Sequence, residues 1–152
     1  GQWQQALALL GEICEARLKP NVICYNAWIS ACETSGQWQQ ALSLLSGMWN
    51  AKLELNIISC NRGIGACMKG NQWQRVMLLL SEMRDEKLVP NVISYGVAIC
   101  ACANSGQWQQ ALSVFRLMGE ERLEPDAISY NAGISACGKG KQWQRALAML
   151  SE

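Results

Sequence analysis

Apolar side chains recur along this chain at spacings of three and four residues, in two alternating kinds of segment. In the first kind, here called helix A, one such face carries Val22, Tyr25, Ile29 and Cys32. In the second kind, helix B, the face carries Trp38, Ala41, Leu42, Leu45 and Met48. These spacings place side chains on one face of an α-helix, and small residues or Pro separate the segments as turns do. The pattern predicts a series of helical hairpins.

A tryptophan opens helix B and returns with a constant step of 35 residues, at Trp3, Trp38, Trp73, Trp108 and Trp143. Helix A repeats with the same step in the segments NVICYN, NIISCN, NVISYG and DAISYN. One hairpin cannot bury both of its apolar faces, so such hairpins are stable only when they stack on their neighbours. We therefore predict an all-α fold, an α-solenoid of stacked two-helix repeats, as a single array over residues 1–152.

The step sets the expected limits of the repeats. Complete repeats are expected at residues 22–56, 57–91 and 92–126, and partial repeats at 1–21 and 127–152. The sequence starts and stops inside helix B, without the polar capping repeats that such arrays normally carry. We therefore expect this chain to be a part of a longer array. Turns of the form SGQWQQ also alternate with GNQWQR and GKQWQR, which doubles the period.

Composition excludes several classes of function. Lys plus Arg number 13 and Asp plus Glu 12, so the net charge of +1 provides no broad positive field to attract polyanions. The chain contains no His, which removes His-based catalysis and imidazole metal sites. No apolar run reaches the roughly 18 residues of a membrane span. We expect no enzyme activity, no catalytic residue, no metal, no cofactor, no small-molecule substrate and no membrane span.

Four of the eight cysteines follow the repeat step within apolar surroundings: Cys32, Cys67, Cys102 and Cys137. Equivalent helices in stacked repeats lie roughly 8–10 Å apart, whereas a disulfide needs Cα atoms within about 4.4–6.8 Å. The cysteines are therefore expected to be buried free thiols, which indicates a reducing compartment.

The complete pattern resembles the pentatricopeptide repeat. The resemblance rests on Tyr-Asn early in helix A, Gly at the turn, Ala-Leu in helix B, Met near its end and Pro before the next repeat. Tetratricopeptide repeats step by about 34 residues and carry a different helix A. The resemblance covers the whole chain and implies binding of single-stranded RNA, one base per repeat. It also implies an organellar location, in the mitochondrion or a plastid such as the chloroplast.

The resemblance further implies three sets of RNA contacts. Base-reading pairs would be Asn26 with Asn56, Asn61 with Asn91, Gly96 with Asp126, and Asn131 with a residue outside the chain. Base-sandwiching residues would be Ile23, Ile58, Ile93 and Ile128, and phosphate contacts would be Lys69 and Lys139. In the family that the chain resembles, an Asn pair implies a pyrimidine, with C preferred over U, while Gly96 has no side chain to reach a base.

Other interpretations stay open for the same residues. The Asn residues could simply be solvated or could cap helices, a role for which Asn is well suited. The repeated Trp is expected to pack against neighbouring helices. Trp28 and Trp49 each occur in one repeat only, and exposed aromatic residues often anchor protein interfaces, so both are possible protein contacts.

Three functions follow, and the first is favoured. The chain could be a pyrimidine-biased RNA-binding module in organellar RNA metabolism. It could instead be a scaffold or adaptor that binds protein subunits of a large organellar assembly. Finally, it could be the targeting arm of an enzyme whose nuclease or deaminase domain lies elsewhere, since no zinc-deaminase spacing is present in this sequence.

Overall fold

Seven α-helices of equal length form most of the structure, a computed structural model that describes residues 4–5, 8–9, 11–12, 20–142, 144 and 146. They are α1 Val22–Thr34, α2 Trp38–Asn50, α3 Ile57–Lys69, α4 Trp73–Asp85, α5 Val92–Asn104, α6 Trp108–Glu120 and α7 Ala127–Lys139. Odd-numbered helices are helix A and even-numbered ones helix B, and the described range contains no strand. The predicted all-α hairpin architecture is confirmed. Trp3, Cys14, Trp143 and Arg145 lie outside the described residues.

Contacts between helices divide the chain into two compact units, Gly1–Gly70 and Asn71–Glu152. In the first unit, α1, α2 and α3 all pack against one another. In the second unit, α5, α6 and α7 do the same, and α4 packs on α5. In the first unit α1, and in the second unit α5, therefore packs both on the helix B that follows it and on the next helix A. None of the described helices has the length and apolar character needed to cross a membrane.

Each helix A begins with a side-chain cap. The residues before α1, α3, α5 and α7 have extended backbone, and their side-chain oxygens accept a hydrogen bond from the third helical N–H. These four N-caps are Asn21, Asn56, Asn91 and Asp126. Asn and Asp are preferred there because they satisfy one of the unpaired N–H groups at a helix start. By contrast, the residues before α2, α4 and α6 make no side-chain cap.

The core consists of the same positions taken from successive repeats. Side chains that are at most 2 % exposed include Ile29, Ile64, Ile99, Cys32, Cys67, Cys102, Cys137, Ala41, Val76, Ala111, Met48, Met83 and Met118. Burying one large apolar side chain contributes about 1.5–3 kcal/mol. Because helix A supplies mainly small side chains and helix B longer ones, consecutive A helices can approach closely within each unit.

The predicted thiols without disulfide bonds are confirmed at Cys32, Cys67, Cys102 and Cys137, all of which are buried. Burial raises the pKa of Cys102 to about 11 and also raises the pKa of Cys32. Among the described residues, no group of Cys, Asp and Glu is arranged to hold a metal ion.

The repeated tryptophans that the structure describes, Trp38, Trp73 and Trp108, are half-buried, and two of them lie on glycine. The indole of Trp38 covers Gly70, and that of Trp108 covers Gly140, so closely that a Cβ on either glycine would overlap the ring. Gly70 and Gly140 end α3 and α7 with ordinary backbone angles, φ −78° and −79°. These two glycines are therefore required by the space that the neighbouring indole occupies, and not by backbone conformation.

The turn sequences alternate together with this contact. In every turn after helix A, the second residue has a positive φ, between 55° and 73°: Gly36, Asn71, Gly106 and Lys141. Where the C-cap is Ser35 or Ser105, this left-handed residue is glycine. Where the indole requires glycine at the C-cap, the left-handed position falls to Asn71 or Lys141. Asn tolerates that conformation better than most side chains do.

The steric role of Gly70 is testable by Gly70→Ala. We expect the free energy of unfolding to fall by about 1–3 kcal/mol, because the added methyl displaces the Trp38 ring from a close-packed contact. Urea unfolding followed by circular dichroism measures the change. Gly119→Ala is the matched control, since a Cβ at Gly119 meets nothing within 4 Å. Equal stability of the two variants would contradict the role given to the indole.

Burial of the thiols predicts their order of reaction. In the native chain at pH 8, we expect iodoacetamide to modify the half-buried Cys24 well before the buried Cys32, Cys67, Cys102 and Cys137. At a pKa of about 11, only about one Cys102 thiol in a thousand is ionised at that pH. Peptide mass spectrometry assigns each site, and unfolding in urea should equalise the rates. Early modification of Cys102 in the native chain would contradict this order.

Candidate nucleic-acid interface

The first turn of each helix A carries an exposed isoleucine. These are Ile23, Ile58, Ile93 and Ile128, and each is between 58 % and 76 % exposed. Each is the second residue of its helix, so its side chain lies outside the face that packs on the neighbouring helices. A single exposed apolar residue needs no explanation, but four at one position of the repeat are not required by the fold. These are the residues expected to sandwich bases.

Asn26 and Asn56, the base-reading pair expected for the repeat 22–56, meet at the buried hydroxyl of Ser59. The Ser59 Oγ lies 2.6 Å from Oδ1 of Asn26 and 3.0 Å from Oδ1 of Asn56. The backbone N–H of Ser59 also donates to Oδ1 of Asn56, at 2.9 Å. Ser59 is fully buried, whereas both amides are half-buried. Packing of α3 on α1 thus brings together the two residues that the family resemblance pairs.

The contacts with Ser59 determine which end of each amide faces inward. A backbone N–H can only donate, so the atom of Asn56 that meets it is the carbonyl oxygen. The 2.6 Å contact with Asn26 suits an O–H···O bond, about 2.5–3.0 Å, and is shorter than an N–H···O bond, about 2.7–3.2 Å. Asn26 therefore also turns its oxygen to Ser59. Neither Nδ2 group has a hydrogen-bond partner among the described residues.

The repeat 92–126 keeps the buried serine but lacks the first amide. Ser129 donates its backbone N–H and its hydroxyl to Oδ1 of Asp126, both at 2.8 Å. These two bonds, the backbone one first, lower the pKa of the Asp126 carboxyl below its usual value. A Cβ on Gly96 would lie 3.2 Å from Oγ of Ser129, so Gly96 lies beside this serine as Asn26 lies beside Ser59. This repeat presents a carboxylate without a partner amide.

The remaining expected base-reading residues have different surroundings. Asn91 caps α5 in a reciprocal capping box with Ser94, with both bonds at 3.1 Å. Asn61 is half-buried on the second turn of α3, and Asn131 is exposed on the second turn of α7. Asn56, Asn91 and Asp126 all cap helices, so the capping interpretation holds for the second member of each complete pair.

The candidate phosphate contacts Lys69 and Lys139 end α3 and α7 and are exposed. The Lys139 ammonium donates to the carbonyl oxygen of Ala103 at 2.9 Å, in the last turn of α5. A cation at this place is stabilised by the unpaired carbonyls of a helix C-terminus. A phosphate would therefore compete with a hydrogen bond that Lys139 already makes.

The two candidate protein contacts differ in exposure. Trp28 is only 5 % exposed, and its ring meets Tyr25 edge-on with centroids 5.3 Å apart. The expectation of a protein contact at Trp28 is wrong, because packing inside the first compact unit leaves its ring almost no surface for a partner. Trp49, near the end of α2, is 48 % exposed and stays a candidate.

Sequence reasoning missed the serine that joins the reading residues. Ser59, Ser94 and Ser129 are the buried polar side chains of the described range, and each is the third residue of its helix A. The sequence contained a signal for this serine, because an Asn or Asp is followed by a Ser three residues later, and this pair recurs with the repeat step. That spacing indicates a capping arrangement. It does not indicate that the hydroxyl also reaches the preceding repeat, because this depends on how the helices pack.

Three sequence profiles of one repeat family match the chain. The profile described as a pentatricopeptide repeat domain matches residues 1–34 and 43–104. The one described as a PPR repeat family matches residues 90–139, and the one described as a PPR repeat matches residues 23–53 and 128–152. No curated protein matches the sequence significantly.

Solved structures with the same fold include plant proteins of this kind. The PPR domain of protein-only RNase P 1 from Arabidopsis thaliana, solved with tRNA, has a TM-score of 0.85 at 17 % identity, over 99 % of this chain and 79 % of that one. The pentatricopeptide repeat protein PPR10 from maize has a TM-score of 0.85 at 20 % identity, over 99 % of this chain and 22 % of that one. PPR10 in complex with an 18-nt psaJ RNA element has a TM-score of 0.78 at 17 % identity, over 93 % of this chain and 21 % of that one. The chain thus spans about a fifth of the maize protein, and the likeness shows the predicted α-solenoid repeat fold.

The lowered pKa of Asp126 predicts an acid-sensitive cap. Its stabilising effect is present above the unfolded pKa, near 3.8, and is lost as the pH falls through the lower folded value. We expect Tm to fall more between pH 6 and pH 2.5 in the unchanged chain than in Asp126→Asn, which keeps a capping oxygen but does not titrate. Thermal unfolding followed by circular dichroism measures both. Asp85→Asn, outside any N-cap, is the control, and equal acid sensitivity of Asp126→Asn and the unchanged chain would exclude this role.

Proposed function

Because this chain belongs to the pentatricopeptide repeat family, we propose that it binds single-stranded RNA along its A helices, one base per repeat. The chain acts by occupancy in this proposal: it masks, stabilises or guides a transcript without changing it. The complex of maize PPR10 with an RNA element supports RNA as the ligand class. On the family resemblance we also propose an organellar location, in the mitochondrion or a plastid.

The observation that carries the proposal is the juxtaposition of an exposed isoleucine and a half-buried amide on the same helical face. Ile23 and Asn26 are three residues apart in α1, so their side chains are neighbours. The isoleucine offers an apolar surface against which a base can stack, and the amide offers hydrogen bonds to its edge. Ile58 and Asn61 repeat this arrangement in α3.

The orientation of the amides supports a preference for cytosine in the repeat 22–56. Asn26 and Asn56 both turn oxygen inward, so both present N–H donors to a ligand. Cytosine offers two adjacent acceptors, N3 and O2, on its pairing edge. Uracil places its N3–H donor there, which would face another donor. Two inward oxygens therefore favour C over U.

Charge limits the affinity of this segment. Each neutralised phosphate contributes about 0.7 to the salt slope on single-stranded nucleic acid. The net charge is +1, and the phosphate contacts proposed here are Lys69 and Lys139, of which Lys139 already donates to a backbone carbonyl. We therefore propose weak binding by this array alone and a small dependence on salt, with base and stacking contacts responsible for most of the selectivity.

A protein-binding scaffold is the second candidate function. The observation in its favour is the exposed indole of Trp49 at the end of α2. Trp49 lies on a helix B, whereas the exposed isoleucines lie on A helices, so in this proposal a protein subunit of an organellar assembly binds through a helix different from those that bind RNA. Loss of a partner in Trp49→Ala, with RNA binding unchanged, would separate the two functions.

The RNA-binding proposal is tested with Asn56→Asp. The carboxylate keeps the capping oxygen but replaces an outward N–H donor with an acceptor, which suits the N3–H of uracil. We expect the ratio of affinities for C and U at one nucleotide to shift towards U by about tenfold, or ~1.4 kcal/mol. Fluorescence anisotropy with short single-stranded RNAs that differ at one position measures the ratio at low salt.

Asn50→Asp is the matched control, since it adds the same charge at the exposed end of α2 and should leave the ratio unchanged. Purine-rich RNAs should bind more weakly than pyrimidine-rich ones to the unchanged chain. Absence of RNA binding at low salt, or binding that ignores both sequence and Asn56→Asp, would overturn the proposal in favour of the scaffold.

A further inference from the structure

Ser59 makes a contact that its capping role does not require. The cap of α3 needs only the Ser59 backbone N–H, which donates to Asn56. The hydroxyl lies 2.6 Å from Oδ1 of Asn26, on the preceding helix A, inside a fully buried site. Because a hydroxyl has one proton to donate, and Oδ1 of Asn56 is the more distant acceptor at 3.0 Å, the proton goes to Asn26.

The two amides are thus held by different groups. Oδ1 of Asn56 faces a backbone N–H, which no substitution at Ser59 other than Pro removes. Asn26 is oriented by the Ser59 hydroxyl, since no other hydrogen bond to its side chain occurs among the described residues. Without that hydroxyl, the Asn26 amide could present either its oxygen or its nitrogen to a base. Rotation by half a turn would convert a group suited to cytosine into one suited to uracil.

We propose that Ser59 is a positioning residue for base selection, whose buried hydroxyl fixes the Asn26 amide with its donor outward and so makes the repeat 22–56 prefer cytosine. This inference rests on the proposed RNA binding and adds a specificity determinant that does not itself touch the base. The base preference of one repeat then depends partly on a side chain in the first turn of the following repeat.

The repeat 92–126 provides an internal contrast. Ser129 occupies the same buried third position of helix A, but Gly96 offers no amide to orient. Its hydroxyl donates instead to Asp126, at 2.8 Å. Removing the Ser129 hydroxyl therefore disturbs a buried site of the same kind without affecting Asn26.

The test compares Ser59→Ala with Ser129→Ala in the whole chain. Short single-stranded RNAs carry C or U in turn at each position, and anisotropy gives the ratio of affinities. We expect Ser59→Ala to lower the preference for C by about tenfold at the position read by the repeat 22–56, and Ser129→Ala to leave it unchanged there. Urea unfolding of both variants gives the stability lost at each serine, so that a general loss of structure is distinguished from a loss of selectivity.

A second measurement needs no RNA. Side-chain NMR relaxation reports the order of the Asn amides, and we expect the order parameter of the Asn26 amide to fall in Ser59→Ala while that of Asn56 stays high. Unchanged order at Asn26, or an unchanged C-to-U ratio in a variant that binds RNA, would overturn the inference and leave RNA binding intact. Lack of RNA binding by the unchanged chain would instead overturn the proposed function, and with it the role of Ser59 in base selection.

Discussion

The close approach of consecutive A helices is the constraint on which the other features depend. In the first compact unit, the Ser59 hydroxyl reaches Asn26 across this contact, and the Glu33 carboxylate covers Gly65. In the second, Gly96 lies against Ser129. Because protein interiors are close-packed, side chains along this contact must be small. The repeated Cys, Ala, Gly and Ser of helix A follow from that requirement, whereas helix B supplies the longer side chains.

In the proposed function, single side chains near this contact both cap a helix and contact RNA. The inward oxygen of Asn56 caps α3, and its outward nitrogen is left for a ligand. In the same way, one oxygen of the Asp126 carboxylate caps α7, while the side chain is exposed to solvent. Asn and Asp share the inward atom and differ in the outward one. If the proposed RNA binding holds, a repeat can therefore change the atom that it presents to a base without changing how its neighbour folds.

The position of glycine in the turns after helix A depends on both backbone conformation and side-chain packing. Each turn after helix A needs one left-handed residue, and glycine meets this need most easily. Where an indole covers the end of the helix, as Trp38 covers Gly70, glycine is needed one position earlier, and Asn71 takes the left-handed conformation. In these turns, glycine stands where the indole leaves no space for a Cβ, and not where the backbone is left-handed.

The sequence by itself determined the all-α class, the repeat step, the buried free thiols and the family, because these depend on periodicity and on local propensity. It also located the four isoleucines, although only by resemblance. It did not determine that Trp28 is buried, that Lys139 holds a backbone carbonyl, or that Ser59 links Asn26 to Asn56. Each of these depends on which side chains from different helices come within hydrogen-bonding or van der Waals distance. A spacing in the sequence fixes the face of a helix that a residue occupies, and only tertiary packing decides which atom of another helix lies opposite.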